Sequence, residues 1–324
     1  MAEVNSFTGQ IDKVFLVAKP AVAGEGEDSF YCCRNGSKRA IAAVFDGCGG
    51  LGSRRYTTFK GHTGAYISSR IASGAAHDCF HCTWSRSDVS GKSFFGEYKK
   101  FLAEGFSIAA DMCAQERSMI RGALVRDFPC TAAMAYAFSD GGSVTVDCMW
   151  AGDSRVYLLN RNGLQQMTID DLDVSDAMEN LSADSALKNV LSSDGQYTIH
   201  RRAIKMNSPA LIFAATDGCF GYMKSPMEFE YALVRCIVDS DTPVMLEKKL
   251  YDVFERHAQD DFTFGGIVIG FGCFDDMRKN YEKRYEQLIR EYINPIRTAE
   301  DTDTVRRVLW EQYRGQYEHY IKGI

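Results

Sequence analysis

Short apolar runs rich in β-branched and aromatic residues recur between Val14 and Ile269, each bounded by Gly, Asp, Asn or Ser. They predict nine strands: Val14–Val17, Ser29–Cys33, Ala40–Phe45, Ala132–Phe138, Val144–Trp150, Val156–Leu159, Tyr197–Ile204, Leu211–Ala215 and Phe264–Ile269. Gly141-Gly142 and Asn162-Gly163 supply the tight turns that hairpins require, so the pairing is expected to be mostly antiparallel. Helical spacing appears between the runs, at Thr63–Ser73, Gly96–Ser118, Pro226–Asp239 and Val244–His257. In the second of these, Tyr98, Phe101, Leu102, Ile108, Ala109, Met112 and Cys113 fall mainly on one helical face. Strands and helices grouped in this way predict an α+β fold, a sheet sandwich with helices packed outside it, rather than an alternating parallel sheet.

The pattern changes after Phe274. Tyr281, Tyr285, Leu288 and Tyr292 recur at three to four residues until Asn294-Pro295 interrupts them. Leu309, Tyr313, Tyr317 and Tyr320 follow the acidic stretch Glu300–Asp303. Two amphipathic helices are expected here, dividing the chain into a main unit over 1–274 and a helical extension over 275–324. Their aromatic faces are expected to pack on the main unit rather than form a partner-binding arm.

Composition narrows the class. The chain has 324 residues, 45% hydrophobic and 25% charged, with 6 prolines, which is the make-up of a folded globular protein. A net charge of −6 argues against a general nucleic-acid binder and suits a site that gathers carboxylates around cations. No apolar run approaches the roughly 20 residues needed to cross a bilayer, and the first residues lack the layout of a secretion signal. Eleven cysteines, an odd number, are a poor basis for a closed disulfide framework. Cys130, Cys148, Cys219 and Cys236 sit in apolar settings as small hydrophobes, so a reducing cytoplasm is expected.

The chemistry lies where strands give way to turns: Glu27-Asp28, Asp46, Asp217 and Asp260-Asp261. The clearest case is Ala42-Ala43-Val44-Phe45-Asp46-Gly47-Cys48-Gly49-Gly50, a buried strand that ends in a carboxylate followed by glycines. Leu211–Thr216 followed by Asp217-Gly218 repeats the device. Carboxylates converging from separate strand ends are the oxygen ligands that Mg²⁺ and Mn²⁺ prefer. A single Asp-Gly is also an ordinary turn, and spacing alone does not show that the four acidic positions meet.

The order of these segments resembles the metal-dependent protein phosphatase family, the type 2C Ser/Thr phosphatases. Gly26-Glu27-Asp28-Ser29-Phe30 is similar to that family's first acidic motif, and Val44–Gly50 to its D-G-x-G-G turn. Ala151-Gly152-Asp153-Ser154-Arg155-Val156-Tyr157 matches the G-D-S-R strand, Ala215-Thr216-Asp217-Gly218 the late S/T-D-G turn, and Asp260-Asp261-Phe262-Thr263 the terminal D-[ND]-x-T. The resemblance implies a four-layer sandwich, two antiparallel β-sheets flanked by helices with the metal site at one end. It implies two or more Mn²⁺ or Mg²⁺ held by Asp46, Asp217 and Asp260, by the carbonyl of Gly47, and by Glu27 directly or through water. Asp153, with Asp217, is implied at an additional, looser metal position, and Arg155 in support of the fold. The implied reaction is attack of a metal-bridged hydroxide on a phosphoserine or phosphothreonine of a protein substrate, opposing a Ser/Thr kinase. Cys48 is then a structural residue rather than a nucleophile.

The family's phosphate-binding arginine, four residues before the first-motif acid, is replaced by Ala23. Arg54 and Arg55 are the candidates to substitute for it, with Lys19 a further one. The cluster His77-Asp78-Cys79-Phe80-His81-Cys82 is too compact to offer four tetrahedral ligands to one zinc ion and is read as local packing. The leading reading is an active phosphatase. The alternative is a weak or inactive module of the same fold that binds a phosphorylated partner, and an unrelated β-rich structural protein is third.

Overall fold

A computed structural model describes residues 7, 9–86, 89–116, 126–173, 176, 178 and 186–321. The first half runs β1 (Ile11–Lys19), β2 (Ser29–Asn35), β3 (Arg39–Phe45), the two-residue β4 (Arg55–Tyr56) and β5 (His62–Thr63), then α1 (Gly64–Cys82) and α2 (Gly91–Met112). The second runs β6 (Ala132–Ser139), β7 (Val144–Ala151), β8 (Arg155–Asn160), β9 (Gly163–Gln166), β10 (His200–Met206), β11 (Ala210–Ala215), α3 (Pro226–Val238), α4 (Pro243–His257) and β12 (Phe262–Ile269). After β12 the described chain is helical: α5 (Phe274–Leu288), a π-helical turn at Ile289–Ile293, α6 (Asn294–Thr298) and α7 (Thr302–Tyr317).

The strands form two antiparallel five-stranded sheets, ordered β1-β12-β11-β8-β9 and β10-β7-β6-β3-β2. Small residues alternate onto the faces that meet. Ala40, Ala42 and Val44 of β3 pair with Ala137, Ala135 and Ala133 of β6, and all pack against Ala210, Ile212 and Ala214 of β11 and Ile267 of β12. Alanine at these positions lets two sheets approach closely without leaving voids. The opposite faces carry the bulk. Phe45, Met134 and Tyr136 lie under α1 and α2, whereas Phe213, Tyr157 and Phe264 lie under α3, α4 and the C-terminal helices. The result is four layers, helix–sheet–sheet–helix, the sandwich that the residue pattern predicts with the layering that the resemblance implies.

Helix starts follow side-chain chemistry. Thr63, Ser90, Ser225, Thr242 and Asp301 each accept a hydrogen bond from a first-turn backbone N–H, and Pro226 and Pro243 follow their caps directly. Sequence spacing placed several boundaries differently. The first helix continues through Cys82 rather than ending at Ser73, because Ala72, Ala75, Ala76, Cys79 and Phe80 keep burying the same face. The second begins at Gly91, set by its Ser90 cap, and ends at Met112; the end expected at Ser118 lies outside the described residues. The strand expected from Tyr197 begins at His200, since the Asn189 side chain occupies both backbone groups of Thr198. β9 and the β4–β5 pair were not expected; at four and two residues they are too short for alternation to reveal.

The C-terminal aromatics join the core under the first sheet. Tyr281, Leu288, Tyr292, Trp310, Tyr313 and Tyr317 are buried there. Tyr281 donates to the Leu159 carbonyl at 2.7 Å, and Arg284 of α5 meets Glu230 of α3 in a bidentate pair at 2.7 and 2.8 Å. The Tyr313 hydroxyl donates to the same carboxylate.

Candidate metal centre

Strand register brings the separated acids to one end of the sandwich. Ser29 lies opposite Phe45, so Glu27-Asp28 and Asp46 leave neighbouring strands side by side. Ala215 lies opposite both Arg155 and Phe264, which gathers Asp217, Asp153 and Asp260-Asp261. Antiparallel pairing does this by necessity: the end of one strand faces the start of the next.

Two glycines of the turn after β3 have no room for a side chain. A Cβ on Gly47 would stand 2.7 Å from the Ala65 carbonyl oxygen, and one on Gly49 would strike the Glu27 carboxylate. These glycines let Glu27 and the Asp46 turn share one wall of the cleft. Thr63 fixes Glu27 by donating its hydroxyl to Oε1, while the Glu27 carbonyl accepts from Ser69 Oγ at 2.5 Å and Arg70 Nη1 at 3.0 Å.

Asp261 organises the same acidic side. Its carboxylate accepts from the backbone N–H groups of Ala21 at 2.6 Å, Glu27 at 2.5 Å and Asp28 at 3.1 Å. Three amides on one carboxylate tie the start of β12 to the loop that carries the first acidic motif. Asp28 accepts from Thr216 at 2.9 Å and Thr263 at 2.7 Å through Oδ2, while its buried Oδ1 meets no protein donor.

The electrostatics are one-sided. Burial pushes Asp28 and Asp153 up to about 8, and Asp46 and Asp217 are raised first by burial and then by acidic neighbours. Asp46 feels Asp28, Asp217, Asp153 and Asp260, whose like charges all oppose its ionisation. Glu27 is raised by burial and by Asp261 and Asp260. Asp153 Oδ1 is a second buried carboxylate oxygen with no protein partner. Half-buried acids with spare oxygens fit divalent, oxygen-preferring cations. Among the described residues no group of three or more His, Cys, Asp or Glu is gathered tightly enough to enclose an ion as it stands.

A cleft of about 570 Å³ is lined by Glu27, Asp46, Gly47, Asp260 and Asp261 on its acidic side. Asp217 and Asp153 lie behind it, within electrostatic reach of Asp46. Arg55, Lys60 and His62 line the other side, from the β4–β5 loop. The pair Arg54-Arg55 is thereby split: Arg54 turns over the Tyr56 ring at 5.5 Å and does not line the cleft. Lys19 pairs with Glu255 of α4 at 2.6 Å instead. Arg155 is buried, bound to both oxygens of Asp170 and to the Tyr157 hydroxyl, a supporting role. Cys48 is raised well above the usual thiol range by burial and by Asp46, which disfavours the thiolate. The His77–Cys82 cluster lies along α1, with Cys79 donating to the Phe94 carbonyl and His77 beside Asp78.

Lys60 and His62 are the cleft residues that spacing did not single out. They carry no local signal, since a hairpin fold alone brings them there; Asp28 and Asp261 were marked as strand-end acids and Thr63 as a helix start, without their contacts at the site.

The family model described as "Protein phosphatase 2C" matches residues 25–255, which include every motif acid except Asp260 and Asp261. A solved structure described as a C. elegans sex determining protein is similar with a TM-score of 0.61 at 16% identity, covering 83% of this chain and 67% of that one. Serine/threonine phosphatase Stp1 from Staphylococcus aureus is similar with a TM-score of 0.57 at 15% identity, covering 79% and 94%. The catalytic domain of serine threonine protein phosphatase PstP, in complex with 2 manganese ions, gives 0.52 at 15%, covering 80% and 99%. At such identities the shared property is the fold. No curated protein sequence matches.

Proposed function

We infer the reaction from one premise: the chain belongs to the protein phosphatase 2C family. It is a metal-dependent protein Ser/Thr phosphatase, a hydrolase of phosphate monoesters. The observation that carries this reading is the set of acids kept at converging strand ends, with glycines that admit Glu27 beside the Asp46 turn. In this reading Glu27, Asp46, Asp217 and Asp260, with the Gly47 carbonyl, hold two or more Mn²⁺ or Mg²⁺, and Asp153 with Asp217 serves a looser further position. Bound there, the cations supply a lowered pKa for water and charge neutralisation on the phosphoryl group.

The chain's own groups do the positioning. Thr63 orients Glu27, and Asp261 holds the Ala21–Asp28 loop whose residues form one lip of the cleft. With Ala23 in place of the usual arginine, Arg55 is the residue we assign to the substrate phosphate, supported by its place in the cleft, and Lys60 is its neighbour there. Arg55→Ala is expected to raise KM for a phosphopeptide about 10-fold, the worth of one charge-assisted contact. We assign residues 1–274 to the phosphatase unit and 275–324 to a helical extension, since β12 ends at Ile269 and the described chain beyond it is helical. The substrate is a phosphorylated protein that a Ser/Thr kinase supplies, and a cytoplasmic signalling role fits the composition. No helix among the described residues is long and apolar enough to cross a membrane.

The test is phosphate release from a phosphothreonine peptide with Mn²⁺, with EDTA, and in Asp46→Asn and Asp217→Asn. Metal-dependent release lowered about 10³-fold by either substitution, or roughly 4 kcal/mol of barrier, is expected. No release from a chain that still binds Mn²⁺ would support the other reading, a phosphoprotein-binding module, which Ala23 favours.

A further inference from the structure

Tyr222 lines a groove outside the acidic cleft, close in sequence to Asp217. It follows the turn that begins at Asp217, whose carbonyl accepts from Gly221 N–H at 2.6 Å, and it lies within electrostatic reach of Asp217, Asp260 and Asp46. The groove it lines, of about 500 Å³, is walled by α3, α4 and the Ile293–Arg297 part of the C-terminal helices.

That groove has the opposite charge from the cleft. Its lining carries six Lys and Arg side chains against three carboxylates, in a chain of net charge −6. Two of the six are neutralised internally: Arg235 pairs with Asp239 at 3.2 Å and Arg306 with Glu228 at 3.0 Å. Lys249 and Arg256 instead donate to the backbone carbonyls of Asp239 and Asp252, each at 2.8 Å, contacts that leave a net positive charge in place. Arg297 lies 5.6 Å over the Tyr231 ring, and Lys224 is exposed beside Tyr222. Cations on a concave wall that keep their charge select an anionic ligand. The place of Tyr222, just after the turn that starts at Asp217, says which one: chain on one side of a residue seated among the acids would enter this groove.

Resting on the phosphatase reading above, we propose that the groove between α3, α4 and α6 is a docking surface for an acidic segment of the phosphoprotein substrate, on one side of the phosphorylated residue. The C-terminal helices then take part in substrate choice, because Arg297 and the Ile293–Ile296 wall are theirs. Asp and Glu side chains of an extended peptide would meet Lys224, Arg256 and Arg297 in turn.

The experiment compares three phosphothreonine peptides on the full chain with Mn²⁺: one neutral, one with an Asp/Glu run before the phosphoresidue, and one with the run after it. One acidic peptide is expected to show KM about 10-fold below the neutral one, with the advantage shrinking as salt rises. In Lys224→Glu/Arg256→Glu/Arg297→Glu, whose sites are all exposed, that advantage should vanish while the neutral peptide and p-nitrophenyl phosphate turn over as before. Lys224→Ala/Arg256→Ala should lose part of it, a check should the charge reversals disturb the fold. Equal KM for all three peptides, or a variant that slows every substrate alike, overturns the proposal. Fluorescence anisotropy of a labelled, unphosphorylated acidic peptide separates the two readings. Binding that the triple variant abolishes, in a chain that hydrolyses nothing, leaves the docking surface standing and removes the phosphatase. Turnover without acidic preference does the reverse.

Discussion

Glu230 and Asp46 are carboxylates withdrawn from bulk water, one under the C-terminal helices and the other at the strand-end cleft. Glu230 is fully buried, and the chain supplies everything its charge needs: a bidentate Arg284 at 2.7 and 2.8 Å and the Tyr313 hydroxyl. Asp46 has Asp28, Asp217, Asp153 and Asp260 for neighbours, with burial and like charge both raising it. In the first region ionic contacts are complete within the fold and hold helices together. In the second the fold concentrates negative charge that its own cations do not offset, which is the condition for taking up cations from solution. Similar residues serve structure in one place and chemistry in the other, and the partner set decides which.

The largest expected effect falls on the completed network. Arg284→Met leaves Glu230 buried without its cation and should lower unfolding free energy in urea by about 3–5 kcal/mol. Glu230→Leu/Arg284→Met should recover most of that, because both charges then leave together. A single substitution that changes stability by less than about 1 kcal/mol would mean the pair does not anchor the C-terminal helices.

Next comes metal supply at the other end. Mn²⁺ at a hundred times its dissociation constant should stabilise the folded chain by about 2.7 kcal/mol, reversed by EDTA. The gain should be absent in Asp46→Asn/Asp217→Asn; if the double variant still gains, the ions bind elsewhere. Smaller again, and opposite in sign to Arg284→Met, is Asp46→Asn without metal. Removing one member of a like-charged group should stabilise the metal-free chain, by less than the gain from Mn²⁺. Destabilisation would show that Asp46 serves the fold through its charge.

The smallest effect belongs to an exposed control. Asp140 is held low, at about 2 against an ordinary 3.8, first by the Gly142 N–H, then by the Ser143 N–H and hydroxyl. Its contribution is present above the unfolded value and lost as pH falls from about 4 towards 2. Asp140→Ala should therefore flatten the acid limb of a stability–pH curve over that window and leave neutral pH little changed. An unaltered limb would show that the turn does not depend on the ionised carboxylate.

Much of the fold was legible because its signals are local. Alternation marked the long strands, the caps Thr63 and Ser225 stand beside the helices they start, and Tyr281, Tyr313 and Tyr317 repeat at helical spacing. β9 and β4–β5 were not legible, because a strand of two to four residues shows too little alternation to separate from a turn. Within the site, Asp46 and Asp217 announced themselves by ending buried strands in Asp-Gly. Asp261 was marked as a strand-end acid too, but its role was not legible, since it lies in accepting amides from Ala21, Glu27 and Asp28, more than two hundred positions away.

The sequence by itself determined the α+β sheet sandwich, the acids and their order along the chain, because alternation, caps and Asp-Gly turns are written in neighbouring residues, and the four layers followed from the resemblance those motifs carry. Only the tertiary structure decided that Arg55 reaches the cleft while Arg54 does not, that Lys60 and His62 join it, and that a basic groove opens beside Tyr222. Those facts depend on which strand pairs with which and where helices cross. They are set by packing summed over the whole chain, and no window of neighbouring residues contains it.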